Sequence, residues 1–193
     1  MASSEDHGHG RAGNAMSRRA LLMGGLAMLG ASAPVGTAWG GVRVPREKSL
    51  TLRNLHTGEK VKTVFWADGH FVPEGCSRIE WIFRDHRTDE KAEIDPALLV
   101  AMHDLQKTVG TTNAIQVVCG YRSPKTNAAL RKISSGVAKK SYHIKGMAID
   151  LRIKGVALRD LHRAAVSLKR GGVGYYPKSD FVHIDTGPVR YWS

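Results

Sequence analysis

The residues of this chain best suited to chemistry are His143, Asp150 and His183. Two imidazoles and one carboxylate are the donor types of a three-ligand catalytic zinc site, in which the fourth position is left to water. The stretch Ser141–Asp150, SYHIKGMAID, raises a geometric question. Seven residues of straight strand span about 23 Å, whereas metal donors lie about 2 Å from the ion. His143 and Asp150 can therefore share an ion only if Lys145-Gly146 reverses the chain, and glycine tolerates such a bend. His183 lies in DFVHID, where His183 and Asp185 share a strand face because the side-chain period is two. Asp180 would point away from a regular strand. It can join the same pocket only from the preceding Pro177-Lys178-Ser179 turn. Zinc lowers the pKa of its water toward about 7, and a carboxylate must then take the proton and pass it to the leaving amine. Asp180 is the candidate for that role. Spacing alone leaves two readings open, a metal site or unrelated polar residues. The other seven histidines (7, 9, 56, 70, 86, 103 and 162) read as tail, surface or packing residues.

These side chains need a scaffold, and the pattern supplies one. Residues 50–66 alternate around His56-Thr57-Gly58 and predict a β-hairpin. Ile79, Ile82 and Phe83 have helical spacing in 75–85. Asp95-Pro96 predicts an N-cap and first turn, with the helix stopping at Gly110. Residues 114–119 predict a buried strand, and Ser123-Pro124 predicts the cap of a short helix. A loop follows over 134–141. Residues 147–153 predict a strand with Asp150 near its middle. An amphipathic helix over 156–169 is expected to end at Gly171-Gly172. Two further strands, GVGYYP and FVHIDTG, are expected to pair antiparallel. The expectation is a single α+β domain with a small antiparallel sheet carrying the site, flanked by helices.

The chain has 193 residues, room for one domain with a real core. Its 29 Lys+Arg against 17 Asp+Glu give +12, which suits an anionic partner. No nucleic-acid module is recognisable, and 7% aromatics are too few for a stacking platform. Residues 1–15 are polar and glycine-rich, and read as a disordered tail. Ser17-Arg18-Arg19 then precedes an apolar run from Ala20 to Ala33, too short and glycine-rich for a membrane span. It has the form of a twin-arginine export signal with cleavage after Ala38; an uncleaved anchor or a buried helix is the alternative. Loss of residues 1–38 removes three arginines and two acids, so the mature domain, 39–193, keeps +11. In a cell envelope the natural anionic polymer is the wall. An oxidising compartment permits a Cys76–Cys119 disulfide, and two buried free thiols are the competing expectation.

Three motifs carry a resemblance. Gly120-Tyr121-Arg122-Ser123, Ser141-x-His143-x-x-Gly146-x-Ala148-x-Asp150 and Asp180-x-x-His183-Ile184-Asp185 resemble the bacterial zinc peptidases of the D-Ala-D-Ala carboxypeptidase group. That group shares its fold with lysostaphin-type peptidases and the hedgehog N-terminal domain. Phe83-Arg84-Asp85-x-Arg87-Thr88 adds to the likeness, which spans roughly residues 48–193. The resemblance implies Zn2+ on His143, Asp150 and His183, with Asp180 as general base. It implies that Arg122 binds a substrate carboxylate or polarises the scissile carbonyl. Asp185 would orient a ligand from behind, and Ser123 and Ser141 would shape the pocket. Relatives often carry Ser where this chain has Cys119, which in the pattern is not a ligand. The implied activity is zinc-dependent murein endopeptidase, hydrolysing peptide cross-links of peptidoglycan in the periplasm. A D,D- or L,D-carboxypeptidase acting on stem peptides is the close alternative. A non-catalytic, zinc-stabilised wall-binding module is the alternative of another class.

Overall fold

The computed structural model describes residues 46–134 and 136–193. The leader expected over 1–38, with its cleavage site, lies outside the described residues. Among those described, no helix is long and apolar enough to cross a membrane.

The described residues start with the expected hairpin, β1 (Glu47–Asn54) and β2 (Lys60–Ala67), followed by a short β3 (His70–Phe71). Helix α1 (Pro73–Phe83) starts on a proline and buries Ile79, Ile82 and Phe83. In α2 (Pro96–Thr108) the Asp95 carboxylate accepts the Ala97 amide, as the Asp-Pro pair predicts. Strand β4 (Ile115–Cys119) leads into α3 (Pro124–Ile133), capped by Ser123. A 3-10 turn (Tyr142–Lys145) precedes β5 (Ala148–Ile153), and then come α4 (Leu158–Leu168), β6 (Gly172–Tyr176), β7 (Phe181–Asp185) and β8 (Arg190–Trp192).

The fold is α+β, but the sheet is neither small nor wholly antiparallel. Eight strands run in the order β3-β2-β1-β4-β5-β7-β6-β8. Strand β4 lies parallel to β1; β2, β3 and two helices come between them in the chain, which re-enters the sheet in its original direction. Strand β8 is parallel to β6, since the chain reverses into antiparallel β7 and reverses again before β8. Only three residues long, β8 was not expected from the sequence.

The two sheet faces do different work. Ile149, Leu151 and Ile153 of β5, with Val182 and Ile184 of β7, point into a core shared with α1, α2 and α4. Asp150, Arg152, His183 and Asp185 alternate with them and face the other way. Each buried aliphatic side chain contributes about 1.5–3 kcal/mol, so the core fixes which face the polar residues occupy.

Two glycine expectations resolve differently. Gly146 has φ +67 and ends the 3-10 turn, so it does reverse the chain between His143 and Asp150. A Cβ there would meet the Glu93 carbonyl at 2.1 Å. Helix α4, however, ends on Lys169 in the left-handed conformation and not on Gly171-Gly172. Those glycines serve packing. A Cβ on Gly171 would lie 1.8 Å from the Asp185 carbonyl oxygen, and one on Gly172 would lie 2.6 Å from the Asp185 carboxylate.

Gly146→Ala adds both left-handed strain and a backbone clash. It should destabilise the fold by about 1–3 kcal/mol, read as a lower midpoint in urea unfolding. An unchanged midpoint would mean that the turn relaxes freely.

Candidate metal centre

Asp150 occupies the middle of the site because of cross-strand register. It lies opposite His183 on β7 and opposite Cys119 on β4. His143 arrives from the 3-10 turn, a setting less strand-like than its sequence suggests. The Ser141 hydroxyl accepts the His143 amide and starts that turn. Two hydrogen bonds then tie the turn to the β4–α3 connection: the Arg122 amide donates to the His143 carbonyl, and the His143 ring to the Gly120 carbonyl.

The ring partners fix which nitrogens face inward. His143 Nδ1 lies 2.8 Å from the Gly120 carbonyl oxygen, which only accepts, so Nδ1 carries the proton and Nε2 the lone pair. His183 Nε2 lies 3.0 Å from Asp185 Oδ2, leaving Nδ1 to face the site. The inner atoms converge. His143 Nε2 is 3.2 Å from both His183 Nδ1 and Asp150 Oδ1, and His183 Nδ1 is 2.8 Å from Asp150 Oδ1. Two nitrogen lone pairs and a carboxylate oxygen at these distances repel unless a cation or proton sits among them. The arrangement fits a divalent metal, with each histidine oriented from behind by a carbonyl or a carboxylate. One donor atom each from Cys119, His143 and Asp150 also lie within 4.8 Å of one another.

Electrostatics agree with this geometry. Burial pushes the His143 pKa down, but the Asp150 charge beside it prevails and raises it well above the usual value. Burial pushes Asp150 up, but His143, together with hydrogen bonds from both histidines, holds its carboxyl well below the usual range. Asp185 is likewise held low despite burial, by His183, Arg190 and the Gly187 amide. For Cys119, burial pushes the thiol up and the adjacent His143 more than offsets this.

The other expected residues are placed as follows. Arg122 enters the site: Nη2 is 3.8 Å from Asp150 Oδ2 and 3.3 Å from Cys119 Sγ, Nη1 donates to Asn127, and its buried Nε has no protein partner. Ser141 borders the cavity, whereas Ser123 is fully buried and acts as the α3 cap, its amide donating to Asp85. Asp185 stands directly behind His183. Asp180 is not brought to the donor cluster. It has φ 54, its side chain is 62% exposed, and it is ion-paired with Arg152. Cys76 and Cys119 are both free thiols.

The sequence reading missed Arg190 and Trp192 on β8. Arg190 grips Asp185 with both terminal nitrogens, at 3.1 and 2.7 Å, and lies over the Tyr142 and Trp192 rings. Trp192 packs against His183 and donates to the Tyr176 hydroxyl. The one available signal was the basic-aromatic run Arg190-Tyr191-Trp192 after Gly187-Pro188. These groups and residues 136–141 enclose a cavity of about 410 Å³ over the donors.

Residues 43–192 match the family described as peptidoglycan L,D-endopeptidase MepK. The chain is 46% identical over 179 residues to the peptidoglycan L,D-endopeptidase MepK of Escherichia coli K12, covering 93% of this chain and 98% of that protein. The Shigella flexneri protein of the same name gives the same figures. A probable peptidoglycan L,D-endopeptidase MepK of Haemophilus influenzae is 46% identical over 176 residues, 91% of this chain and 94% of its own length.

The raised His143 pKa makes metal uptake pH-dependent. Below the raised pKa a proton shared with Asp150 occupies the place of the cation, so binding there must expel it and affinity should rise with pH by up to about tenfold per unit. Calorimetric titration with metal in buffers of different ionisation heat should read at least one released proton; no release would mean that the donors were already free. The same raised pKa stabilises the metal-free fold below the unfolded-state value, and that contribution is lost as pH rises through the folded-state value.

Proposed function

Because the chain belongs to the peptidoglycan L,D-endopeptidase MepK family, we propose that it is a zinc-dependent murein endopeptidase hydrolysing L,D-type peptide cross-links of peptidoglycan. The observation that carries the reading is the convergence of His143 Nε2, Asp150 Oδ1 and His183 Nδ1 beneath an open cavity. Zinc on these donors would supply polarisation of the scissile carbonyl and a more acidic water.

The chain's own groups do the rest. Arg122 offers a fixed, always-charged fork beside Asp150, suited to a substrate carboxylate or the scissile carbonyl oxygen. Arg190 serves differently: bound to Asp185, it holds the carboxylate that orients His183. Trp192, Tyr176 and Phe181 form an apolar wall that limits water on one side of the cavity. Asp180 is proposed for proton transfer. Its neighbours Ser179 and Phe181 border the cavity, and it is not committed to the donor cluster as Asp150 and Asp185 are. In that role its carboxylate has to leave Arg152.

Substrate location and the basic surface point to the periplasm, with export through the Arg18-Arg19 signal and a mature domain from residue 39. Similarity to the Escherichia coli protein covers 93% of the chain, so it extends before residue 43 into that leader.

Zinc-loaded enzyme incubated with purified cross-linked muropeptides should convert dimers to monomers, read by mass. Release of terminal D-Ala alone would make it a carboxypeptidase, and no turnover by folded, loaded protein would leave a binding module. In the same assay Asp180→Asn should keep the metal and lose about a hundredfold or more in rate; near-normal rate would confine Asp180 to its pairing with Arg152. Arg122→Ala should likewise keep the metal while losing activity. Replacing Arg18 and Arg19 by Lys should hold the precursor in the cytoplasm; undiminished export would rule out the twin-arginine route.

A further inference from the structure

We propose that Cys119 is a fourth, sulfur ligand of the metal centre, closing in the resting enzyme the position that catalysis requires open. The inference rests on the metal-centre reading above. Its first support is a backbone irregularity. Val117 faces the core, so two residues later a regular strand would send Cys119 into the core as well. The register instead shifts between Val117 and Cys119: Val117 pairs with Leu151, and Cys119 with the next residue, Asp150. That bulge turns the Cys119 side chain onto the face of Asp150 and His183. Bulges commonly re-aim side chains in this way beside active sites.

The second support is convergence. One donor atom each from Cys119, His143 and Asp150 lie within 4.8 Å of one another, and His183 Nδ1 is 2.8 Å from the same Asp150 oxygen. The sulfur is also anchored, accepting from Arg122 Nη2 at 3.3 Å. Arg122, the group proposed to receive substrate, is thus in direct contact with the sulfur. Cys76 is a separate free thiol on α1 beside the Phe65 carbonyl, so it does not compete for Cys119.

A site with four protein donors has the closed form of structural zinc sites, whereas a catalytic site keeps one position open. A sulfur donor also favours softer metals. Metal uptake then involves the loss of the thiol proton to solvent. Substrate would have to displace the sulfur, and Arg122, hydrogen-bonded to it, would stabilise the released thiolate. Cys119 would thereby restrain basal hydrolysis and bias metal choice.

Cobalt(II) is a suitable probe for the folded protein. The wild type should take up one equivalent and show a near-ultraviolet sulfur-to-cobalt charge-transfer band alongside the visible metal-centred bands. Cys119→Ser should lose the first, keep the second, and bind the metal about tenfold or more weakly. In a Cys76→Ser background, metal should slow alkylation of Cys119 by iodoacetamide about tenfold or more. Cobalt bound without the sulfur band, with alkylation unaffected, overturns the Cys119 ligand and leaves the three-donor centre standing. No cobalt uptake by folded wild type overturns the centre itself, and the Cys119 ligand with it.

Discussion

A buried carboxylate in fixed register is the constraint on which the site depends. Asp150 lies in the middle of β5, almost out of contact with water, where an unpaired charge would be very costly. Its compensation comes from neighbours set by strand pairing: His183 across one edge, Cys119 across the other, and His143 folded over the top. A one-residue slip of β5 against β7 would turn Asp150 and Arg152 toward the core and Ile149 and Leu151 out of it. Ile149, Leu151, Val182 and Ile184 resist that slip because each is buried on the opposite face. The hydrophobic core therefore acts as the alignment device for polar chemistry on the far side of the same strands.

A second tier stands behind the first. Asp185 accepts from His183, from the Gly172 and Gly187 amides and from both terminal nitrogens of Arg190. Such a fully partnered carboxylate stays ionised and holds the imidazole in one orientation. Gly171 and Gly172 permit the close approach this needs. On the other side, Asp85 accepts the Ser123 and Arg87 amides and fixes the start of α3, whose Asn127 steadies Arg122.

Much of this was legible in sequence because it depends on local rules. The Asp95-Pro96 and Ser123-Pro124 caps, the hairpin around His56-Thr57-Gly58 and the bend at Gly146 follow from backbone preferences of single residues. The pairing of His183 with Asp185 follows from strand periodicity. Less legible were features set by long-range packing. Three-residue β8 has too little pattern to announce itself, and its parallel place beside β6 is a property of the sheet. The bulge at Cys119 cannot be read from AIQVVC, which looks like a regular buried strand. Asp180 shows the limit in the other direction: its spacing to His183 suggested a place in the pocket, yet Arg152, two residues from Asp150 on the same face, provides a competing partner.

The distribution of the donors along the chain has a kinetic consequence. His143 and His183 are 40 positions apart, with α4 and two strands to be laid down between and around them. Closing so long a loop costs entropy before any contact repays it. The three donor atoms can therefore converge only once β5 and β7 have paired. At the proposed site metal capture is thus a late step that rewards completed assembly, and partly folded chains lack the geometry for hydrolysis of peptidoglycan.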